Sequence, residues 1–124
     1  VALDIHHIFP KDWCEKQNIK PAIYNSIINK TPISYKANRM IGGKSPSSYL
    51  SAIQSHQQVG ISDSEMDLIL LTHCIDPSCM RTDDFDSFML RRQNSLLDIV
   101  ERATGKKIER SPNNLPGHDD WDET

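Results

Sequence analysis

The sequence contains few cysteines and has no long apolar run. Its three cysteines are odd in number and widely spaced, so they do not make the paired framework of a disulfide-stabilised secreted domain. No stretch approaches the eighteen or so apolar residues of a membrane helix, and the first residues do not resemble a signal peptide. These absences predict a soluble, cytoplasmic protein with no membrane partner.

Internal repeats and nucleotide-binding loops are also missing. The run GGKS at 42–45 lacks the first glycine of a phosphate-binding loop and does not follow a buried strand. At 124 residues the chain is long enough for one modest core. Because it begins with Val1 rather than methionine, we expect it to be the C-terminal fragment of a longer protein.

The charges are distributed unevenly along the chain, which has a net charge of -3. Residues 1–60 carry seven basic and three acidic side chains, whereas the remainder carries seven basic and fourteen acidic ones. The first half is therefore the half that can meet phosphates. Lys36, Arg39 and Lys44 are the candidate contacts to a nucleic-acid backbone, and the alternative for each is a solvated side chain.

A pair of histidines and two asparagines make the N-terminal region the candidate site. His6 and His7 are adjacent, Asn29 follows 22 residues after His7, and eight residues separate Asn29 from Asn38. A neutral imidazole, with a pKa of roughly 6.5, can take a proton from water. A second imidazole and an amide oxygen can hold a divalent ion. Neighbouring strand residues point to opposite faces, so the two histidines can share a site only at a strand end or a bulge.

Local patterns place these residues on a strand, a loop, a second strand and a helix. Residues 3–8 predict the first strand, and residues 27–31 predict the second. Pro32 limits the second strand to a sheet edge or ends it. Residues 35–41 then predict about two helical turns, which Gly42 ends in the left-handed αL conformation.

This order resembles the HNH, or ββα-metal, nuclease motif. HHIFP at 6–10, the asparagine spacing and NRMIGGKSPSSYL at 38–50 look like the C-terminal nuclease domain of GmrSD-type modification-dependent restriction enzymes and their phage-defence relatives. DDFDSFMLRRQNSLLDIVERATGK at 83–106 is similar to the terminal helix of that domain. The resemblance spans roughly residues 2–108.

The resemblance implies a role for each candidate residue. His6 falls on the first metal ligand, His7 on the general base, Asn29 on the asparagine that braces the loop carrying the base, and Asn38 on the second metal ligand. An amide oxygen is a harder ligand than imidazole, which favours Mg²⁺ or Mn²⁺ over zinc. The resemblance also implies DNA as substrate, 5′-phosphate and 3′-hydroxyl products, and an N-terminal nucleotide-dependent sensor domain in the parent protein.

The chain departs from the family pattern at three positions. Many relatives have an acidic residue at the position of His6, and other HNH enzymes have a histidine at the position of Asn38. Some of those enzymes add another histidine one turn later, where this chain has Gly42. Asn25 is a rival for the bracing asparagine, although it lies thirteen residues before Asn38.

The remainder of the chain predicts helices. Residues 45–57 form one, and the capping box at 62–65 starts another. Residues 74–81 are expected to form a loop, after which Thr82 caps the longest helix and Gly105 ends it.

One face of this longest helix is expected to be apolar. Arg92 lies on the same face, where it would pair with a buried acid or approach the nucleic acid. The apolar face is formed by Phe85, Phe88, Met89, Leu96, Ile99 and Val100.

The acidic segment at 111–124 is expected to form a poorly ordered tail.

Together these patterns predict an α+β domain over residues 1–110. An HNH core at about 2–42 would pack on a bundle of about three helices at 45–108. The expected function is metal-dependent DNA cleavage by a bacterial restriction or anti-phage protein, with oligomerisation left open. Two alternatives are a catalytically inactive HNH-like module that binds DNA or acts as a scaffold, and a zinc-stabilised module. The zinc ligands in the latter would be His73, Cys74 and Cys79.

Overall fold

The structure is a computed structural model that describes residues 3–110, except for the side chains of Leu3, Tyr35 and Lys36. The side chain of the candidate phosphate contact Lys36 and the expected tail at 111–124 therefore lie outside the described residues.

The described chain combines a two-stranded antiparallel sheet with helices, so its α+β class agrees with the sequence prediction. In the described part, no helix has both the length and the apolar composition needed to cross a membrane. The elements in chain order are β1 (Leu3–His7), α1 (Lys11–Lys16), α2 (Pro21–Tyr24), a 3₁₀ turn (Ile27–Asn29), β2 (Lys30–Ser34), α3 (Tyr35–Ile41), α4 (Pro46–Ser55), α5 (Asp63–Thr72), α6 (Pro77–Arg81) and α7 (Phe85–Thr104).

The second strand begins later than its sequence predicted. Residues 27–29 form a 3₁₀ turn, in which the Ser26 hydroxyl accepts a hydrogen bond from the backbone N–H of Ile28 at 3.2 Å. The strand then continues through Pro32 instead of ending there. Since β2 pairs with no strand other than β1 among residues 3–110, it is an edge strand there, where proline is tolerated.

The short helix α3 has the predicted bounds but a different ending. Ser34 caps it by accepting from the backbone N–H of Ala37 at 3.2 Å. Gly42 follows with φ 53° and ψ -142°, which is not the predicted αL conformation. This combination of a positive φ with an extended ψ is essentially restricted to glycine.

Three helix ends agree with the sequence prediction. Ser45 caps α4 and Pro46 fills its first turn. Ser62 and Glu65 form the reciprocal capping box of α5. Gly105 follows α7 in the αL conformation, with φ 71° and ψ 12°.

Two short helices replace expected loops, and one expected cap was wrong. Residues 21–24 form α2. Within the predicted loop 74–81, Asp76 accepts from the backbone N–H of Ser78 at 2.9 Å and starts α6. Thr82 ends α6 rather than starting α7, whose cap is Asp84. Asp-Pro suits both a turn and a helix start, so the sequence did not distinguish them.

The core forms around the residue that follows β1 by two positions. Phe9 is completely buried, and its ring centroid lies 4.8 Å from that of Phe88 and 5.3 Å from that of Phe85. These contacts pack the end of β1 against the first half of α7. The apolar face of α7 is narrower than predicted, because Ile99 and Val100 are 43% and 44% exposed.

Candidate functional site

The end of β1 brings both histidines to one cleft. His7 is the last residue of the strand, which satisfies the geometric condition for adjacent strand residues to share a site. His6, His7 and Asn38 all line a cleft of about 170 Å³ between β1, α1 and α3. We call it the β1–α3 cleft. Its other lining residues are Pro10, Lys11, Asp12, Ile41, Gly42 and Gly43.

The ring of His7 is held on two sides. Its Nε2 lies 2.7 Å from the side-chain oxygen of Asn25. The ring also makes an edge contact with Tyr24, with the centroids 5.9 Å apart and the planes inclined at 65°. Both partners come from the end of α2, which the sequence did not predict. The imidazole therefore has a fixed position rather than a free surface orientation.

The pKa of His7 is lowered from its ordinary value of 6.5. Partial burial is the main cause because it disfavours the charged ring, and the nearby positive charges of Lys30 and Lys11 act in the same direction. The hydrogen bond to Asn25 opposes this shift. The ring is thus mostly neutral at neutral pH and able to accept a proton.

Asn29 is completely buried and fixes the backbone that follows His7. Its side-chain oxygen accepts from the N–H of Phe9 at 2.8 Å, and its amide group donates to the carbonyls of Phe9 and Tyr24, each at 3.0 Å. The backbone carbonyl of Asn29 also accepts from the N–H of Ile8 at 2.7 Å. Asn29 therefore has the contacts of a bracing residue, whereas the side chain of its rival Asn25 contacts His7.

Two further residues support this region, and neither role was predicted. The Tyr49 hydroxyl donates to the carbonyl of Ile8 at 2.6 Å, and burial raises the pKa of that hydroxyl well above its ordinary value. Arg92 donates to the carbonyls of Ile28 at 2.5 Å, Ile27 at 3.3 Å and His73 at 3.2 Å. These three carbonyls replace the buried acid or nucleic acid expected as the partner of Arg92.

His6 carries a polar atom that its surroundings leave unsatisfied. Its Nε2 is buried and has no hydrogen-bond partner among the described residues. The nearest acidic oxygen, Asp4 Oδ2, is 3.8 Å away, beyond hydrogen-bonding distance. An imidazole nitrogen of this kind suits a cation, and Asn38 lines the same cleft with an amide. The cleft therefore offers one imidazole nitrogen and one amide oxygen, two ligand types that divalent ions accept.

This donor set contains few metal-binding side chains. Among the described residues, no three or more His, Cys, Asp or Glu side chains gather closely enough to hold a metal ion. The zinc alternative at His73, Cys74 and Cys79 therefore has no assembled ligand group in this part of the chain. In the β1–α3 cleft, an ion would need water or phosphate oxygens in addition to His6 and Asn38.

The candidate phosphate contacts whose side chains are described lie outside the β1–α3 cleft, whereas another basic residue lies in it. Arg39 and Lys44 are exposed and do not line the β1–α3 cleft. Lys11 and Asp12 do line it, from the first turn of α1. A Cβ atom at Gly43 would approach Asp12 Oδ2 to 2.7 Å, so the glycine leaves space for that carboxylate. Pro10 is a sequence signal that a helix starts here. Nothing in the sequence showed that the first two residues of this helix, Lys11 and Asp12, would line the cleft.

The comparisons with known proteins do not assign a function to the chain. No family model and no solved structure matches the chain. Over 64 residues, or 51% of the chain, it is 39% identical to an uncharacterized protein of Methanocaldococcus jannaschii. The matched segment makes up 11% of that protein, so the chain corresponds to a small part of this relative.

Proposed function

We propose that the chain is the nuclease domain of an HNH endonuclease that hydrolyses DNA with the help of Mg²⁺ or Mn²⁺. The main observation behind the proposal is that His6 and His7 line one cleft. His7 is half-buried and mostly neutral, and the buried Nε2 of His6 has no hydrogen-bond partner within the described part of the chain. The element order β1, β2 and α3 supports the proposal, since it is the order that the ββα-metal resemblance implies.

His7 acts as the general base in this proposal. It takes a proton from water while the water oxygen forms a bond to phosphorus. The bond from phosphorus to the 3′ oxygen breaks, and its electron pair stays on that oxygen. The oxygen then takes a proton from solvent. The products carry a 5′-phosphate and a 3′-hydroxyl, as the family resemblance implies.

His6 and Asn38 are the proposed metal ligands. A bound Mg²⁺ or Mn²⁺ supplies positive charge that stabilises the phosphate and the leaving oxygen. Asn29 fixes the backbone at Ile8 and Phe9, and so determines where the preceding His7 lies. A small displacement of a general base greatly lowers the reaction rate that it supports. This explains why a fully buried side chain, that of Asn29, holds the segment next to His7.

Basic residues around the β1–α3 cleft are proposed to bind the DNA backbone. Lys11 lines the cleft itself. Lys36 and Arg39 on α3, with Lys44 just after it, would contact phosphates farther along the duplex. Such contacts carry no base preference, so the domain would read the backbone.

The wider context is also part of the proposal. The parent protein would be a cytoplasmic restriction or anti-phage defence enzyme, whose N-terminal nucleotide-dependent sensor detects modified or foreign DNA. The nuclease resemblance supports this assignment, and the charge of residues 1–60 agrees with a DNA partner.

The direct test incubates the chain with supercoiled plasmid in Mg²⁺, Mn²⁺ or a chelator. We expect nicked or linear plasmid only with metal, and we expect DNA ligase to seal the nicks because their ends are 5′-phosphate and 3′-hydroxyl. No conversion with either metal, or equal conversion with the chelator, contradicts the proposed activity. Metal-dependent nicks that ligase cannot seal contradict the proposed end chemistry.

A further inference from the structure

The contact between Asn25 and His7 determines more than the position of the ring. Asn25 directly follows α2, where its backbone N–H donates to the carbonyl of Pro21 at 2.9 Å. Its side-chain oxygen faces His7 Nε2 at 2.7 Å, across 18 residues of sequence. Asn25 is thus held at the end of a helix and directed at one particular ring nitrogen.

The chemistry of the two groups decides where the proton lies. The oxygen of a carboxamide only accepts hydrogen bonds, so the nitrogen that faces it must carry the hydrogen. A neutral imidazole has one N–H. If Nε2 carries it, Nδ1 has a free lone pair and is the only ring atom that can accept a proton.

We propose that Asn25 is a positioning residue that holds His7 as the Nε2–H tautomer, so that Nδ1 takes the proton from the attacking water. The catalytic part of this inference rests on the proposed nuclease function. Two asparagines then have separate tasks at the same base. Asn29 fixes the backbone after His7, and Asn25 fixes the orientation and tautomer of its ring.

Two substitutions separate this role from simple packing. Asn25→Leu keeps a side chain of similar size but removes the acceptor. Asn25→Asp keeps an oxygen acceptor in the same place. A residue that only filled space would tolerate leucine better than a charged side chain, whereas the proposed role predicts the reverse. Gln57→Leu, at an exposed position after α4, is the control.

The first measurement is the ¹⁵N NMR spectrum of the imidazoles in the metal-free chain with His7 neutral. The His7 signals are assigned by their loss in His7→Gln. We expect the hydrogen on Nε2 in the original chain and in Asn25→Asp. In Asn25→Leu the two ring nitrogens should become more alike, as the tautomers mix. An Nδ1–H ring in the original chain, or an unchanged spectrum in Asn25→Leu, overturns the assignment.

The second measurement is plasmid nicking under saturating metal. We expect Asn25→Leu to lower kcat roughly 10- to 100-fold with KM changed by less than about twofold. Asn25→Asp should recover most of kcat, and Gln57→Leu should match the original chain. A wild-type kcat in Asn25→Leu overturns the positioning role even if the nuclease is real. The expected tautomer in a chain that never nicks DNA contradicts the nuclease itself, and with it the catalytic part of the inference.

Discussion

Asn29→Ala should destabilise the fold more than its small change in volume suggests. The substitution removes three hydrogen bonds, from Asn29 to the N–H of Phe9 and to the carbonyls of Phe9 and Tyr24. The Phe9 carbonyl keeps the weak thiol donor of Cys14 at 3.5 Å. Each lost bond costs about 1 kcal/mol, and more where the group left behind is buried. We therefore expect a loss of roughly 3 kcal/mol in the free energy of unfolding. For a domain of this size, that corresponds to roughly 10–15 °C in Tm.

Urea denaturation followed by circular dichroism measures this loss, with Asn94→Ala as the matched control. Asn94 is partly exposed, and its side-chain oxygen accepts one long hydrogen bond from Arg110 at 3.5 Å. Its replacement should change the free energy of unfolding by less than about 0.5 kcal/mol. If Asn29→Ala is as stable as Asn94→Ala, the side chain does not brace the segment after His7, and the reasoning is refuted.

Three further outcomes follow from the site. Arg92→Met should cost roughly 2–4 kcal/mol of unfolding free energy, because the carbonyls of Ile28 and His73 lose the guanidinium as their partner, while that of Ile27 keeps the N–H of Lys30. Arg91→Met, which removes an exposed ion pair, should cost much less, and equal losses in the two variants would contradict the buried role of Arg92. His6→Ala should weaken Mn²⁺ binding in calorimetry roughly tenfold or more, and an unchanged Kd would exclude His6 as a ligand. The kcat/KM for nicking should fall as His7 is protonated, with a midpoint below 6.5 because its pKa is lowered; a midpoint above that value would contradict His7 as the base.

The predictable parts of the fold are those coded by neighbouring residues. The caps of α4 and α5 depend on a hydroxyl and the backbone N–H groups that follow within three residues, so the sequence is sufficient. The αL glycine that follows α7 is equally local. The sequence also showed that the two histidines could share a site only at a strand end or a bulge.

The parts that could not be predicted depend on distant contacts. The 3₁₀ turn at 27–29 replaced the predicted start of β2, and Asn29 within it bonds to Phe9, twenty residues away. The partner of Arg92 is a set of carbonyls that only the folded chain brings together. In the sequence Asn25 and Asn29 compete for one role, because spacing alone does not reveal that the two side chains contact different groups.

The most direct test of His7 as the general base compares the chain with His7→Ala and His56→Ala on supercoiled plasmid. DNA binding is measured in the same samples, with Mg²⁺ or Mn²⁺ present. His56 is exposed and does not line the β1–α3 cleft, so it is the matched histidine control. We expect His7→Ala to bind DNA as before without nicking it, and His56→Ala to nick at the original rate. Equal nicking by His7→Ala and the original chain would contradict the assignment of His7 as the base.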